Sequence, residues 1–117
     1  MTTLVFVYNS DSGPISGLLD IGHKILSPET YQCSLCNLTH DAFSEKEAWR
    51  AFRRDIGMPT EFLHRDEFEK KYALKADYPV IFRKNHALEI LMSREEIDRI
   101  ETLDALVSAI RSALQAP

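Results

Sequence analysis

Tyr78-Pro79-Val80-Ile81-Phe82-Arg83-Lys84-Asn85-His86-Ala87-Leu88-Glu89-Ile90-Leu91-Met92 is two strands and the connection between them. Val80, Ile81 and Phe82 are β-formers, and residues 87–92 form a second apolar run. Only 83–86 separate the two runs, which predicts an antiparallel hairpin. Pro79 donates no hydrogen bond, so a sheet strand starts after it, and the Tyr78-Pro79 bond is suited to a cis turn. Upstream, Leu4-Val5-Phe6-Val7-Tyr8 is apolar at every position. A strand without polar alternation is covered on both faces, as in parallel or mixed sheets. Residues 61–64 give a further short strand.

Helical patterns fill the intervals. Pro14 at a first helical position and Ile15, Leu18, Leu19, Gly22, Ile25 and Leu26 on one face predict a helix over 14–26, stopped by Pro28. Ser44 and Glu47 form a capping-box pattern opening a helix to Ile56, with Ala48, Trp49, Phe52 and Ile56 inward and Gly57 as its C′ residue. Asp66 caps a brief helix through Tyr72, with Phe68 and Tyr72 inward. Ser93 and Glu96 open a short helical turn. Thr102 caps the last helix, whose apolar face is Leu103, Leu106, Val107, Ile110 and Leu114. The expected class is therefore α/β, with a four-stranded mixed sheet flanked by helices.

The bulk properties narrow the function classes. The 117 residues make one expected domain over 1–117. A net charge of -4 gives no electrostatic basis for nucleic acid or anionic membranes. No apolar run reaches the ~20 residues of a spanning helix, and the start reads as a strand rather than a signal peptide. The expected compartment is the cytoplasm, where a pair of nearby cysteines points to redox cycling or metal binding rather than a permanent staple. An unknown protein partner and a homodimer both remain open.

Cys33 and Cys36 are the only cysteines. Their Cys-x-x-Cys spacing suits a tight disulfide or two ligands to one metal. In the redox reading, Cys33 begins a short turn through Cys36, attacks, and is resolved by Cys36. In the metal reading, Cys33, Cys36 and His40 recruit His64, His23 or Asp11 around zinc, or the pair serves an iron–sulfur cluster. The bland alternative is two small apolar residues in a packed loop. The redox and bland readings need no cofactor. Ser10-Asp11-Ser12-Gly13-Pro14 reads mainly as a cap turn, since Asp11 opposes an anion and Pro14 removes an N–H. There is no Gly-x4-Gly-Lys-Ser/Thr nucleotide loop.

With its β-α-β start, the Tyr78-Pro79-Val80 entry to strand three, the hairpin and the final amphipathic helix, the chain resembles the thioredoxin-like fold. Together with Tyr8 to Gly13 and the segment from Tyr31 to His40, it is similar to a family of small bacterial thioredoxin-like proteins. The resemblance implies redox use of Cys33 and Cys36 beside a substrate edge of Ser10, Asp11, Ser12, Gly13, Tyr78 and Pro79. It equally admits a non-catalytic binding module. In typical thioredoxin-like proteins the cysteines directly follow the first core strand and open the first core helix. Here Asn9 to Gly13 take that place, and the cysteines fall in an inserted loop-and-helix segment between helix one and strand two. A 13-residue helix descends about 20 Å, and six or seven extended residues climb back at about 3.3 Å each. Cys33 is then expected at the level of Asp11 to Pro14. One edge would gather the 9–13 loop, both cysteines, His40, His64 and Pro79; a Cys33 sulfur more than about 15 Å from Pro14 would break that geometry.

Overall fold

A computed structural model describes residues 2–12, 33–40 and 45–115. The expected helix over 14–26, with Gly13 and His23, and the expected cap Ser44 lie outside the described residues. Among the described residues nine elements follow in order. They are β1 (Thr3–Tyr8), α1 (Ser34–Thr39), α2 (Glu47–Asp55), β2 (Thr60–His64), α3 (Arg65–Tyr72), β3 (Val80–Lys84), β4 (Leu88–Met92), α4 (Arg94–Asp98) and α5 (Leu103–Gln115).

The four strands form one mixed sheet in the order β2-β1-β3-β4. β1 is central and runs parallel to β2, with Leu4 opposite Thr60 and Tyr8 opposite His64. It runs antiparallel to β3, with Thr3 opposite Lys84 and Val7 opposite Val80. β3 and β4 form the expected hairpin, with a register irregularity between Ile81 and Phe82. Its turn is tighter and later than 83–86, because Arg83 and Lys84 remain in the ladder and Asn85 N–H reaches the Ala87 carbonyl at 3.1 Å.

Period-two alternation divides the β1 side chains between two cores. Leu4 and Phe6 join Cys33, Leu35, Leu38, Trp49, Phe52, Ile97, Leu106 and Ile110. Val5 and Val7 join Phe68, Tyr78, Val80 and Phe82. The helices α1, α2, α4 and α5 therefore contribute to one face, and α3 covers the other. Every β1 position from Leu4 to Val7 is buried, which accounts for its lack of polar alternation. On the first face, Phe6 meets Trp49 edge-on at 5.4 Å and stacks on Phe62 at 4.9 Å. On the second, Phe68 stacks on Phe82 at 5.1 Å.

Three helices differ from the sequence pattern, one in its length and two in their starts. Residues 34–39 form a full short helix, longer than the expected turn through Cys36. Helix α2 begins at Glu47 with Lys46 as N-cap, later than the Ser44 pattern implies. The reason is local pairing: His40 and Glu45 form an antiparallel bridge, and Lys46 N–H donates to the Thr39 carbonyl at 2.8 Å. Extended backbone at 45–46 excludes a helix there. Ala48 is exposed rather than inward, while Trp49 and Phe52 are buried as expected. Helix α3 is capped by His64, not Asp66. Glu67 reaches back to accept the His64 backbone N–H at 2.8 Å, the return arm of a capping box. The Ser93–Glu96 box and the Thr102 cap form as expected, with Glu96 N–H on Ser93 Oγ at 3.2 Å and Ala105 N–H on Thr102 Oγ1 at 3.1 Å.

Candidate functional site

Cys33 and Cys36 are joined in a disulfide, with their Cα atoms 5.2 Å apart. Cys33 is the N-cap residue of α1, and Cys36 lies inside the helix. Two backbone amides point at Cys33 Sγ. Cys36 N–H donates to it at 3.3 Å, and Asn9 N–H donates to it at 3.3 Å. The first contact is the short-range consequence of capping. The second crosses 24 residues and docks α1 against the end of β1. Leu35 and Leu38 anchor the helix beneath, both buried in the core.

The two sulfurs differ in environment. Cys33 is 1% exposed and belongs to the packed core. Cys36 is partly exposed and packs at the core margin.

The end of β1 fixes what surrounds the pair. Tyr8 stands opposite His64, and Val7 stands opposite Val80. Asn9, the first residues of α3 and the Tyr78-Pro79 entry to β3 therefore share one edge of the sheet. Tyr78-Pro79 is a cis bond, as its sequence position suggests, and both residues are buried. Tyr78 Oη donates to Glu69 at 2.7 Å and accepts Ala76 N–H at 3.3 Å. Burial, reinforced by that carboxylate, pushes its phenol up to about 12.

Residues 9–12 are tied to α3. Arg65 donates to both carboxylate oxygens of Asp11, at 2.7 and 3.0 Å, and to Asn9 Oδ1 at 3.0 Å. Its own backbone N–H donates to the carbonyl of buried Ser10 at 3.0 Å. Asp66 accepts Ser12 N–H at 2.8 Å and Ser12 Oγ–H at 2.6 Å. The Arg65 hydrogen bonds hold the Asp11 carboxyl below its ordinary range, and the Ser12 bonds do the same for Asp66. Asp11 and Ser12 are thus engaged in a structural latch, with their polar atoms turned to α3.

A second polar cluster lies beside Tyr8. The Tyr8 phenol is raised, first by burial, and is bonded to Thr39. Thr39 Oγ1 contacts His40 Nδ1 at 2.7 Å, and the His40 ring meets the Tyr8 ring edge-on at 5.7 Å. Thr39 is fully buried and also donates to the Leu35 carbonyl at 2.8 Å. Glu45 closes the cluster through Arg53, at 2.8 and 2.9 Å; these bonds lower the Glu45 carboxyl.

The sequence reading places Cys33, Cys36, Ser10, Asp11, Ser12, Tyr78 and Pro79 at a site, and the strand register and the Asn9–Cys33 contact bring them to this one edge. Gly13 lies outside the described residues, as does Pro14, the reference point for the expected distance from Cys33. His40 and His64 both lie near the end of β1, but each ring has its own partner: His40 contacts Thr39, and His64 Nδ1 contacts Glu67 at 2.7 Å. Among the described residues no group of three or more His, Cys, Asp or Glu side chains is arranged to hold a metal ion. Arg65, Asp66, Thr39 and Tyr8 are participants that the sequence did not flag. Arg65 and Asp66 lie 54 residues from their partners, so no local spacing signals them.

Compared with known proteins, the chain matches no family model, and neither a curated protein nor a solved structure matches it significantly. No helix among the described residues is long and apolar enough to cross a membrane.

Proposed function

We propose that this chain is a thioredoxin-like protein that exchanges thiols and disulfides through Cys33 and Cys36. One observation carries the reading. The Cys33–Cys36 disulfide is docked by an amide hydrogen bond onto the end of the central strand, although the sequence places the pair within an inserted segment. That contact supports the reading, because typical thioredoxin-like proteins join strand end and cysteine pair by direct succession. The strand order β2-β1-β3-β4, the parallel β1–β2 pair, the β3–β4 hairpin and the closing helix α5 support the same reading.

The chemistry fits the surroundings. Disulfide exchange needs an accessible sulfur to attack or be attacked, and a leaving thiolate that is stabilised. Cys36 is partly exposed, and Cys33 receives two amide hydrogen bonds. The overall reaction turns two substrate thiols into one substrate disulfide while the protein disulfide becomes a dithiol, or the reverse.

The test is a redox titration of the pair in glutathione and dithiothreitol buffers, followed by mass shift on thiol alkylation, alongside an insulin-disulfide reduction assay. The expected result is a potential within the glutathione–thioredoxin range and turnover absent from Cys33→Ser. A pair that glutathione buffers never reduce, with insulin turnover no higher than that of the variant, rejects the redox reading and leaves a non-catalytic module.

A further inference from the structure

The geometry points to Cys36, not Cys33, as the sulfur that forms the mixed disulfide with substrate, with Cys33 as the buried resolving sulfur. This inverts the order in which the sequence suggests the two cysteines act. It rests on the redox reading above and adds the direction of attack.

Access decides the first half. Exchange proceeds in line, so the incoming sulfur must approach the attacked sulfur along the S–S axis from the side opposite the leaving group. Cys33 is 1% exposed and is packed among Leu35, Leu38 and the inner β1 side chains. A substrate sulfur attacking Cys33 would have to displace part of that core. Cys36 is partly exposed at the core margin.

Charge placement decides the second half. When a substrate thiolate attacks Cys36 Sγ, a new S–S bond forms to Cys36 and the Cys33–Cys36 bond breaks. The electron pair of the broken bond goes to Cys33 Sγ, which leaves as a thiolate. Asn9 N–H and Cys36 N–H already point at that atom, both at 3.3 Å. Two amide donors stabilise an anionic sulfur more than a neutral disulfide sulfur, so they favour this bond-breaking direction. A second substrate thiolate then attacks the substrate sulfur of the mixed disulfide. Substrate disulfide departs, Cys36 leaves as a thiolate, and the protons of the two substrate thiols balance the two protein sulfurs. Run backwards, Cys36 attacks a substrate disulfide and Cys33 resolves it.

The experiment uses the reduced wild-type protein. It is mixed with substoichiometric iodoacetamide at pH 7, quenched, digested and mapped by mass spectrometry. The expected result is alkylation of Cys36 at least tenfold above Cys33 at early times, with the preference lost in urea. Mixed-disulfide capture by oxidised glutathione follows the same order: Cys33→Ser is captured at least tenfold faster than Cys36→Ser. The wild-type labelling needs no variant to fold. Equal labelling, or faster labelling of Cys33, overturns the assignment while leaving the redox reading in place. A wild-type disulfide that stays oxidised in dithiothreitol, under conditions that reduce insulin, overturns the redox reading itself.

Discussion

Gly57 and Ala73 both follow helices in the left-handed region, and they solve it differently. Gly57 has φ 77°, and a Cβ built there meets nothing within 4 Å. Its requirement is therefore backbone conformation alone. Gly57→Ala is expected to cost about 1–2 kcal/mol, the penalty of a left-handed L-residue, measured as a lower urea midpoint with unchanged slope. No loss would mean that the turn relaxes to a negative φ. Ala73 holds φ 55° as the C-cap of α3, where its N–H donates to the Glu69 carbonyl at 3.0 Å. Ala73 is exposed, so its methyl contributes little packing. Ala73→Gly should stabilise by about 0.5–1 kcal/mol, since glycine is the favoured residue at such caps. A destabilised Ala73→Gly would show that unfolded-chain entropy outweighs the relief. The cysteines obey the same residue-level logic, in that position in the helix sets environment: the cap sulfur is buried and hydrogen-bonded, and the sulfur one turn on reaches the margin.

Among the described residues, several elements with strong local signals form close to where the sequence puts them. β1, β3 and β4 are built on apolar stretches bounded by turn or proline residues, and α4 and α5 begin at their expected caps. Ser93→Ala removes the side-chain half of the α4 capping box and should cost about 0.5–2 kcal/mol in thermal or urea unfolding. Helix α1 was not legible as a helix, because Ser34-Leu35-Cys36-Asn37-Leu38-Thr39 contains weak helix formers and is too short for a period. Its burial of Leu35 and Leu38 supplies what propensity does not. The start of α2 is not legible because a cap pattern at 44–47 does not register the neighbouring His40–Glu45 bridge, which holds 45–46 extended. Likewise the cysteine pair announced itself by spacing, whereas the latch of residues 9–12 onto α3 did not. That latch predicts a pH response. Asp11 and Asp66 both titrate below their ordinary range in the folded state. Their stabilisation is full above the unfolded carboxylate range near pH 4 and is lost as pH falls through the lower folded values. Urea midpoints should therefore drop on acidification below about pH 4. Arg65→Met should flatten that drop by removing the chief partner of Asp11. An equally steep acid limb in Arg65→Met would show that the latch contributes nothing measurable.

At the scale of the whole molecule, β1 is the shared wall of two cores. Leu4 and Phe6 serve the face of α1, α2, α4 and α5; Val5 and Val7 serve the face of α3. A strand cannot lose its neighbours on one side and keep its position for the other, because its ladder to β2 and β3 fixes both sets of side chains together. The two cores should therefore melt as one unit. The aromatic residues allow this to be watched from each side. Trp49, the only tryptophan, lies on the first face, while Phe68, Tyr72, Tyr78 and Phe82 lie on the second. Phe82→Leu trims the second core only and should cost about 1–3 kcal/mol. Because the cores are coupled, this change should lower the urea midpoint seen by Trp49 fluorescence by the same amount as the midpoint seen by far-ultraviolet circular dichroism. A Trp49 transition left in place while the dichroism signal shifts would show two independently melting layers. In that case the edge carrying Cys33 would be governed by the first core alone, since Cys33 packs with that face. Coincident transitions instead make the burial of Cys33, and with it the asymmetry between the two sulfurs, a property of the complete sheet.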